Sequence, residues 1–150
     1  MNRADWTESR CEASRVTHRV LIADDQESWI QRITNLLVPA GYQVEGIRDS
    51  RDVLSKLASD SFDLLILDTM MPYLDGLQVL NAVKQDPRLQ QLPVIMLPVG
   101  LALVDDQRRM LARLQDLGAA ECLVKDRLGD ASILAAVRRI LPGDAGSNQP

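Results

Sequence analysis

The chain has 150 residues, 46% apolar and 25% charged, with 8 glycines and 7 prolines, which fits one globular domain with short tails. Its 17 basic and 21 acidic residues leave a net charge of −4, and no Lys/Arg-rich run marks a phosphate-backbone footprint. With aromatics at only 3%, base-stacking platforms are also lacking, so composition speaks against a direct nucleic-acid partner.

Cys11 and Cys122 lie far apart without C-x-x-C or Cys/His spacing, so neither a disulfide framework nor a zinc site is expected. The polar leader, residues 1–18, has no apolar h-region, and no later stretch reaches membrane-spanning length. A soluble, cytoplasmic protein is the expectation. The single histidine, His18, cannot build a His-based metal cluster or a Ser-His-Asp triad, and reads as a solvated member of a disordered leader.

From His18 onward, short apolar runs alternate with segments of helical period, the pattern of a parallel sheet with helices on both faces. Val20–Ala23 reads as a buried strand leading into Asp24, Asp25 and Gln26. Ser28, with Gln31 three residues on, carries a capping-box signature for a helix that turns Ile30, Ile33, Leu36 and Leu37 to one side. Pro39 and Gly41 stop it. Tyr42–Ile47 is a weaker, alternating strand, and Ser50 opens a short helix with Val53, Leu54 and Leu57 facing inward.

Phe62–Leu67 is the most apolar run and belongs at the sheet centre. After Pro72 and Gly76, a helix capped by Asp75 with Gln78 holds Leu77, Val79, Leu80 and Val83. Leu92–Leu97 is a fourth strand, with Pro93 tolerable only near its start. A helix over Asp105–Leu117 ends at Gly118, Glu121–Val124 is a fifth strand, and a helix over Ser132–Leu141 closes the domain. The domain thus spans residues 19–141, and the Gly/Pro/Ser/Asn-rich tail, residues 142–150, is expected to be disordered.

In an open parallel sheet, ligands bind outside the carboxyl ends of the strands. Asp24 and Asp25 follow the first apolar run, Asp68 the third and Lys125 the fifth. Any one alone would be an ordinary solvated loop charge. Together, three carboxylates repel one another and call for a hard divalent cation with oxygen ligands, of which Mg²⁺ is the usual candidate. Asp68, at the end of the central strand, is the candidate nucleophile, attacking phosphorus to give an aspartyl-phosphate. Lys125 would meet the phosphoryl oxygens as a point charge, or pair with Asp68 as a salt bridge.

These residues resemble the receiver domain of two-component response regulators. The resemblance runs from Arg19 to Leu141 and rests on four stretches: Val20–Asp25, Leu64–Gly76 with its Asp68-Thr69-Met70-Met71-Pro72 core, Leu92–Leu97, and Gly118–Lys125. It implies a flavodoxin-like three-layer α/β sandwich, strand order 2-1-3-4-5, with five helices. It further implies that Asp68 is phosphorylated by a histidine kinase or phosphotransfer protein, in a phosphorelay. By the same carry-over, Asp25, Asp68 and the Met70 backbone carbonyl would ligate Mg²⁺ directly, and Asp24 through a coordinated water. Backbone amides of Thr69, Met70 and Val99 would donate to the phosphoryl oxygens.

The chain departs from the family on its output side. Where receivers end the fourth strand with Ser or Thr, this sequence has Pro98, and no Ser or Thr occurs from Met70 to Ala131. Proline supplies neither a hydroxyl nor an N–H. Cys122 stands at the usual aromatic position of the fifth strand, Asp126 replaces a proline after Lys125, and the loop Val99–Val104 is longer than is common. Its apolar part, residues 100–104, is either a partner surface or packing over the sheet edge.

The expectation is an atypical, non-enzymatic receiver: with no output domain after Leu141, either it works by binding a downstream protein or the chain is a fragment of a longer regulator. The alternative is an interaction module with a degenerate switch that needs no phosphate. A metal-dependent phosphohydrolase would need a second carboxylate two residues after the nucleophile, where Met70 stands.

Overall fold

Val20, Leu21, Ile22 and Ala23 are all completely buried, which a strand achieves only when both faces of its sheet are covered. The computed structural model describes residues 17–100 and 103–142 and shows how this comes about. Strands β1 (Arg19–Ala23), β2 (Gln43–Ile47), β3 (Leu64–Asp68), β4 (Val94–Leu97) and β5 (Glu121–Cys122) alternate with helices α1 (Glu27–Leu37), α2 (Val53–Ser59), α3 (Gly76–Gln85), α4 (Val104–Asp116) and α5 (Asp130–Ile140). The strands form one parallel sheet in the order β2-β1-β3-β4-β5.

Side chains along a strand alternate between faces, and the two cores obey that period. Val20, Ile22, Leu64, Ile66, Ile95 and Leu97 pack with Ile30, Ile33 and Leu37 of α1 and Ile133, Ala136 and Val137 of α5. Leu21, Ala23, Leu65, Leu67, Val94 and Met96 face the other way, onto Val53 and Leu57 of α2, Val79, Leu80 and Val83 of α3, and Leu114 of α4. Full burial of each such aliphatic side chain is worth about 1.5–3 kcal/mol, so the sheet is fixed by its aliphatic runs.

Several local expectations are corrected. Helix α1 starts at Glu27, with Gln26 at the cap position, so Ser28 lies inside the first turn. Gln31 instead bonds Glu27, Nε2 to Oε2 at 3.3 Å. The entry is set upstream, where Asp24 Oδ1 accepts the Gln26 N–H at 2.9 Å and turns the chain into the helix. Ser50 does open the next helical segment, as the first residue of a 3₁₀ turn, Ser50–Asp52, that leads into α2, with Asp49 ahead of it accepting the Arg51 N–H. The Asp75–Gln78 capping box of α3 is present in both directions.

Strand β5 is shorter than expected, and the reason is Pro98. Leu123 N–H reaches Met96 O and Lys125 N–H reaches Pro98 O, both at 2.8 Å. The return bond on that last rung would need a Pro98 N–H, which proline lacks, so the ladder closes at Cys122. Gly118 ends the α4 region in the left-handed region, φ 108°. His18 is not solvated: its side chain is largely buried and stacks on Tyr42, with ring centroids 6.4 Å apart. The rest of the leader up to residue 16, including Cys11, lies outside the described residues, as do residues 143–150 and Leu101 and Ala102 of the long loop. Leu103 and Val104, at that loop's end, are exposed.

Candidate functional site

The β1–β3 register pairs Ala23 with Leu67, so the next step sets Asp24 beside Asp68 at the carboxyl edge of the two central strands. Alternation then points both carboxylates to the side that carries Val20, Ile22, Leu64 and Ile66, beneath the start of α1. Both are buried, Asp24 at 0% and Asp68 at 1% exposure. Asp25 follows at the mouth, half-buried. Lys125 comes from the opposite edge, held by its N–H on Pro98 O, and extends its side chain back into the site.

The expected constellation is therefore assembled. Lys125 Nζ lies 2.7 Å from Asp24 Oδ2 and 3.4 Å from Asp68 Oδ1. Oxygens of Asp24, Asp25 and Asp68 lie within 4.8 Å of one another, a spacing at which one cation can bind all three. Asp24 Oδ2, though buried beside the ammonium, makes no aligned hydrogen bond, and so retains coordinating capacity. An open pocket of about 590 Å³ leads to the group, lined by Asp25, Gln26, Trp29, Asp68, Met70, Val99, Lys125 and Asp126. The oxygen donors and the pocket's access fit a divalent cation.

Burial pushes the Asp68 carboxyl up to about 6, and the neighbouring Asp24 charge pushes in the same direction; Lys125 and the Met70 N–H oppose them. That N–H donates to Asp68 Oδ1 at 3.2 Å. Thr69 is buried next to Asp68, and Val99 lines the pocket. At Cys122, one of the divergent positions, burial raises the thiol to about 11 and keeps it neutral.

The loop after Asp68 is fixed by contacts with no local sequence signal. Ser50 Oγ donates to Pro72 O at 2.6 Å and accepts the Leu74 N–H at 2.9 Å, across more than twenty residues of chain. Tyr73 sits in the left-handed region, φ 73°, an uncommon place for a residue with a Cβ, and its ring lies under the Arg51 guanidinium at 3.5 Å. Gly76 is required outright, because a Cβ there would lie 2.4 Å from the Asp68 carbonyl oxygen. Trp29 is the other wall residue that the sequence left unmarked.

A buried carboxylate pair with a lysine stands at the carboxyl edge of a parallel sheet ordered 2-1-3-4-5, where open α/β signalling and binding domains take their ligands. The family model for the response regulator receiver domain matches residues 20–138, and the chain belongs to that family, whose members act in two-component signal transduction. It is 36% identical over 124 residues to a gliding motility regulatory protein of Myxococcus xanthus, covering 81% of this chain and 15% of that protein. Among solved structures it resembles the receiver domain of a signal transduction histidine kinase from Syntrophus aciditrophicus (TM-score 0.74, 29% identity, 85% of this chain and 92% of that one). It also resembles chemotaxis protein CheY4 of Vibrio cholerae (TM-score 0.71, 28% identity, 83% and 99%). The chain spans about half the length, or less, of the first curated relatives it matches. No helix among the described residues is long and apolar enough to cross a membrane.

Proposed function

We propose that this domain accepts a phosphoryl group on Asp68, with Mg²⁺ bound by Asp25, Asp68 and the Met70 carbonyl and assisted by Asp24. The observation that carries this reading is the Lys125 ammonium set between Asp24 and Asp68 in a pocket open to solvent. When bound, Mg²⁺ would neutralise the incoming phosphoryl oxygens. An Asp68 carboxylate oxygen attacks phosphorus, the bond from phosphorus to the donor atom breaks, and the donor leaves with the electron pair. Lys125 supplies positive charge and keeps its proton. The backbone N–H groups of Thr69 and Val99 are the candidate donors to the phosphoryl oxygens.

The donor in the cell is a histidine kinase or phosphotransfer protein, as family membership implies, and the output is binding of a downstream protein by residues 19–141. No turnover of a substrate is part of this function. The test is incubation with acetyl phosphate and Mg²⁺, read by intact mass. One labile phosphoryl per chain, lost in Asp68→Asn, supports the proposal; an unmodified wild-type chain overturns it.

A second reading is favoured by Pro98 and Cys122: the pocket is retained while the phosphate-driven switch is not. Pro98 has no hydroxyl to offer, and Cys122 is a small, neutral thiol in place of a swinging ring. The domain would then bind its partner equally well with or without phosphoryl on Asp68.

A further inference from the structure

The acceptor reading leaves Trp29 unexplained. It stands in the first turn of α1, packs on the core shared by α1, α5 and the sheet, and forms part of the pocket wall. Lys125 Nζ lies 5.0 Å from its ring centroid. The Arg32 guanidinium lies 4.8 Å from the same centroid and is itself tied down, Nε to Asp130 Oδ1 at 2.7 Å and Nη2 to Leu128 O at 2.8 Å. The indole is thus braced between α1 and the start of α5, with a ring within reach of the ammonium in the pocket.

We infer that Trp29 is a positioning residue for phosphoryl transfer, holding the Lys125 ammonium in the pocket while that ammonium exchanges Asp24 for the phosphoryl oxygens. The inference rests on the acceptor reading of Asp68. Lys125 is the one cationic side chain among the residues lining the pocket, and Pro98 contributes no hydroxyl, so the placement of this charge decides how well the phosphoryl is met. Asp24 competes with the phosphoryl for the ammonium at 2.7 Å. An aromatic face attracts a cation over a broad area without competing for its N–H donors, so the ring favours the ammonium both before and after the exchange. In the step itself, Asp68 attacks phosphorus and the leaving group departs with its electron pair, and the Lys125 proton count does not change.

The test compares wild type, Trp29→Leu and Trp29→Phe in their rate of loading from acetyl phosphate, with Mg²⁺ affinity measured in parallel. Trp29→Leu should slow loading about fivefold or more, Trp29→Phe should recover most of the rate, and Mg²⁺ affinity should stay within about twofold in both. Wild-type loading by Trp29→Leu, or an equal loss of loading and Mg²⁺ affinity, overturns the inference. A wild-type chain that does not load at all overturns the acceptor reading instead, and the inference with it. Should Trp29→Leu fail to fold, the emission of Trp29 in a Trp6→Phe chain decides: beryllium fluoride with Mg²⁺ should change it as the ammonium moves, and an unchanged spectrum overturns the inference.

Discussion

Lys125 Nζ lies nearer to Asp24, at 2.7 Å, than to Asp68, at 3.4 Å. The ammonium is thus held chiefly by the carboxylate other than the proposed acceptor, which leaves Asp68 the less neutralised of the two. A buried carboxylate with an incomplete partner is costly unless a cation arrives or it takes up a proton. Burial, and after it the Asp24 charge, raises the Asp68 carboxyl, and Lys125 offsets this only in part.

Mg²⁺ affinity should therefore depend on the carboxylates one by one. Asp25→Ala and Asp68→Ala should each weaken Mg²⁺ binding by about tenfold or more in calorimetric titration, since loss even of supporting groups around a metal costs that much. Unchanged affinity in both variants contradicts the metal site.

In the metal-free protein the raised Asp68 value sets a pH dependence of stability. The folded value, about 6, lies above the ordinary carboxyl value of 3.8, so the folded state binds the proton more tightly than the unfolded one. This contribution is fully present below about pH 4 and is lost as pH rises through about 6, a change on the order of 2–3 kcal/mol. Asp68→Asn should then stabilise the metal-free chain near pH 7 and flatten the profile between pH 4 and 7. Denaturant titration at a series of pH values checks both.

Gly76→Ala should damage the site from outside it. The added methyl would lie 2.4 Å from the Asp68 carbonyl oxygen and 2.6 Å from the Thr69 Cα, both backbone atoms with little room to yield. A loss of about 1–3 kcal/mol is expected, with slower phosphoryl loading because β3 must shift. Thermal unfolding and loading rate, measured on one preparation, check it.

Much of this was legible in the chain and some was not, for physical reasons. The aliphatic runs gave the strands, and the residue following each run gave Asp24, Asp68 and Lys125, because a strand buried on both faces leaves its first polar residue at the sheet's rim. The Asp75–Gln78 box was readable because capping is local. Ser28 misled for the same reason: its spacing to Gln31 is right, but Asp24 had already turned the chain at Gln26. The Ser50 clamp on Pro72 and Leu74, and the Trp29 contact with Lys125, join residues far apart in sequence, where no periodicity reports them. The packing of His18 on Tyr42 was missed likewise.

Pro98 is expected to limit how far a phosphoryl signal travels. It offers no hydroxyl, and it ends the β4–β5 ladder at Cys122. A phosphoryl mimic should perturb amide resonances of β4 and β5 little in the native chain, and Pro98→Thr should enlarge the response. Large shifts in the native chain contradict this account.

The most direct test traps the acyl phosphate itself. After exposure to acetyl phosphate and Mg²⁺, borohydride reduction should convert residue 68 alone into homoserine, located by peptide mass spectrometry. Conversion at Asp24 or Asp25 instead, or no conversion in a folded chain, would contradict Asp68 as the phosphoryl acceptor.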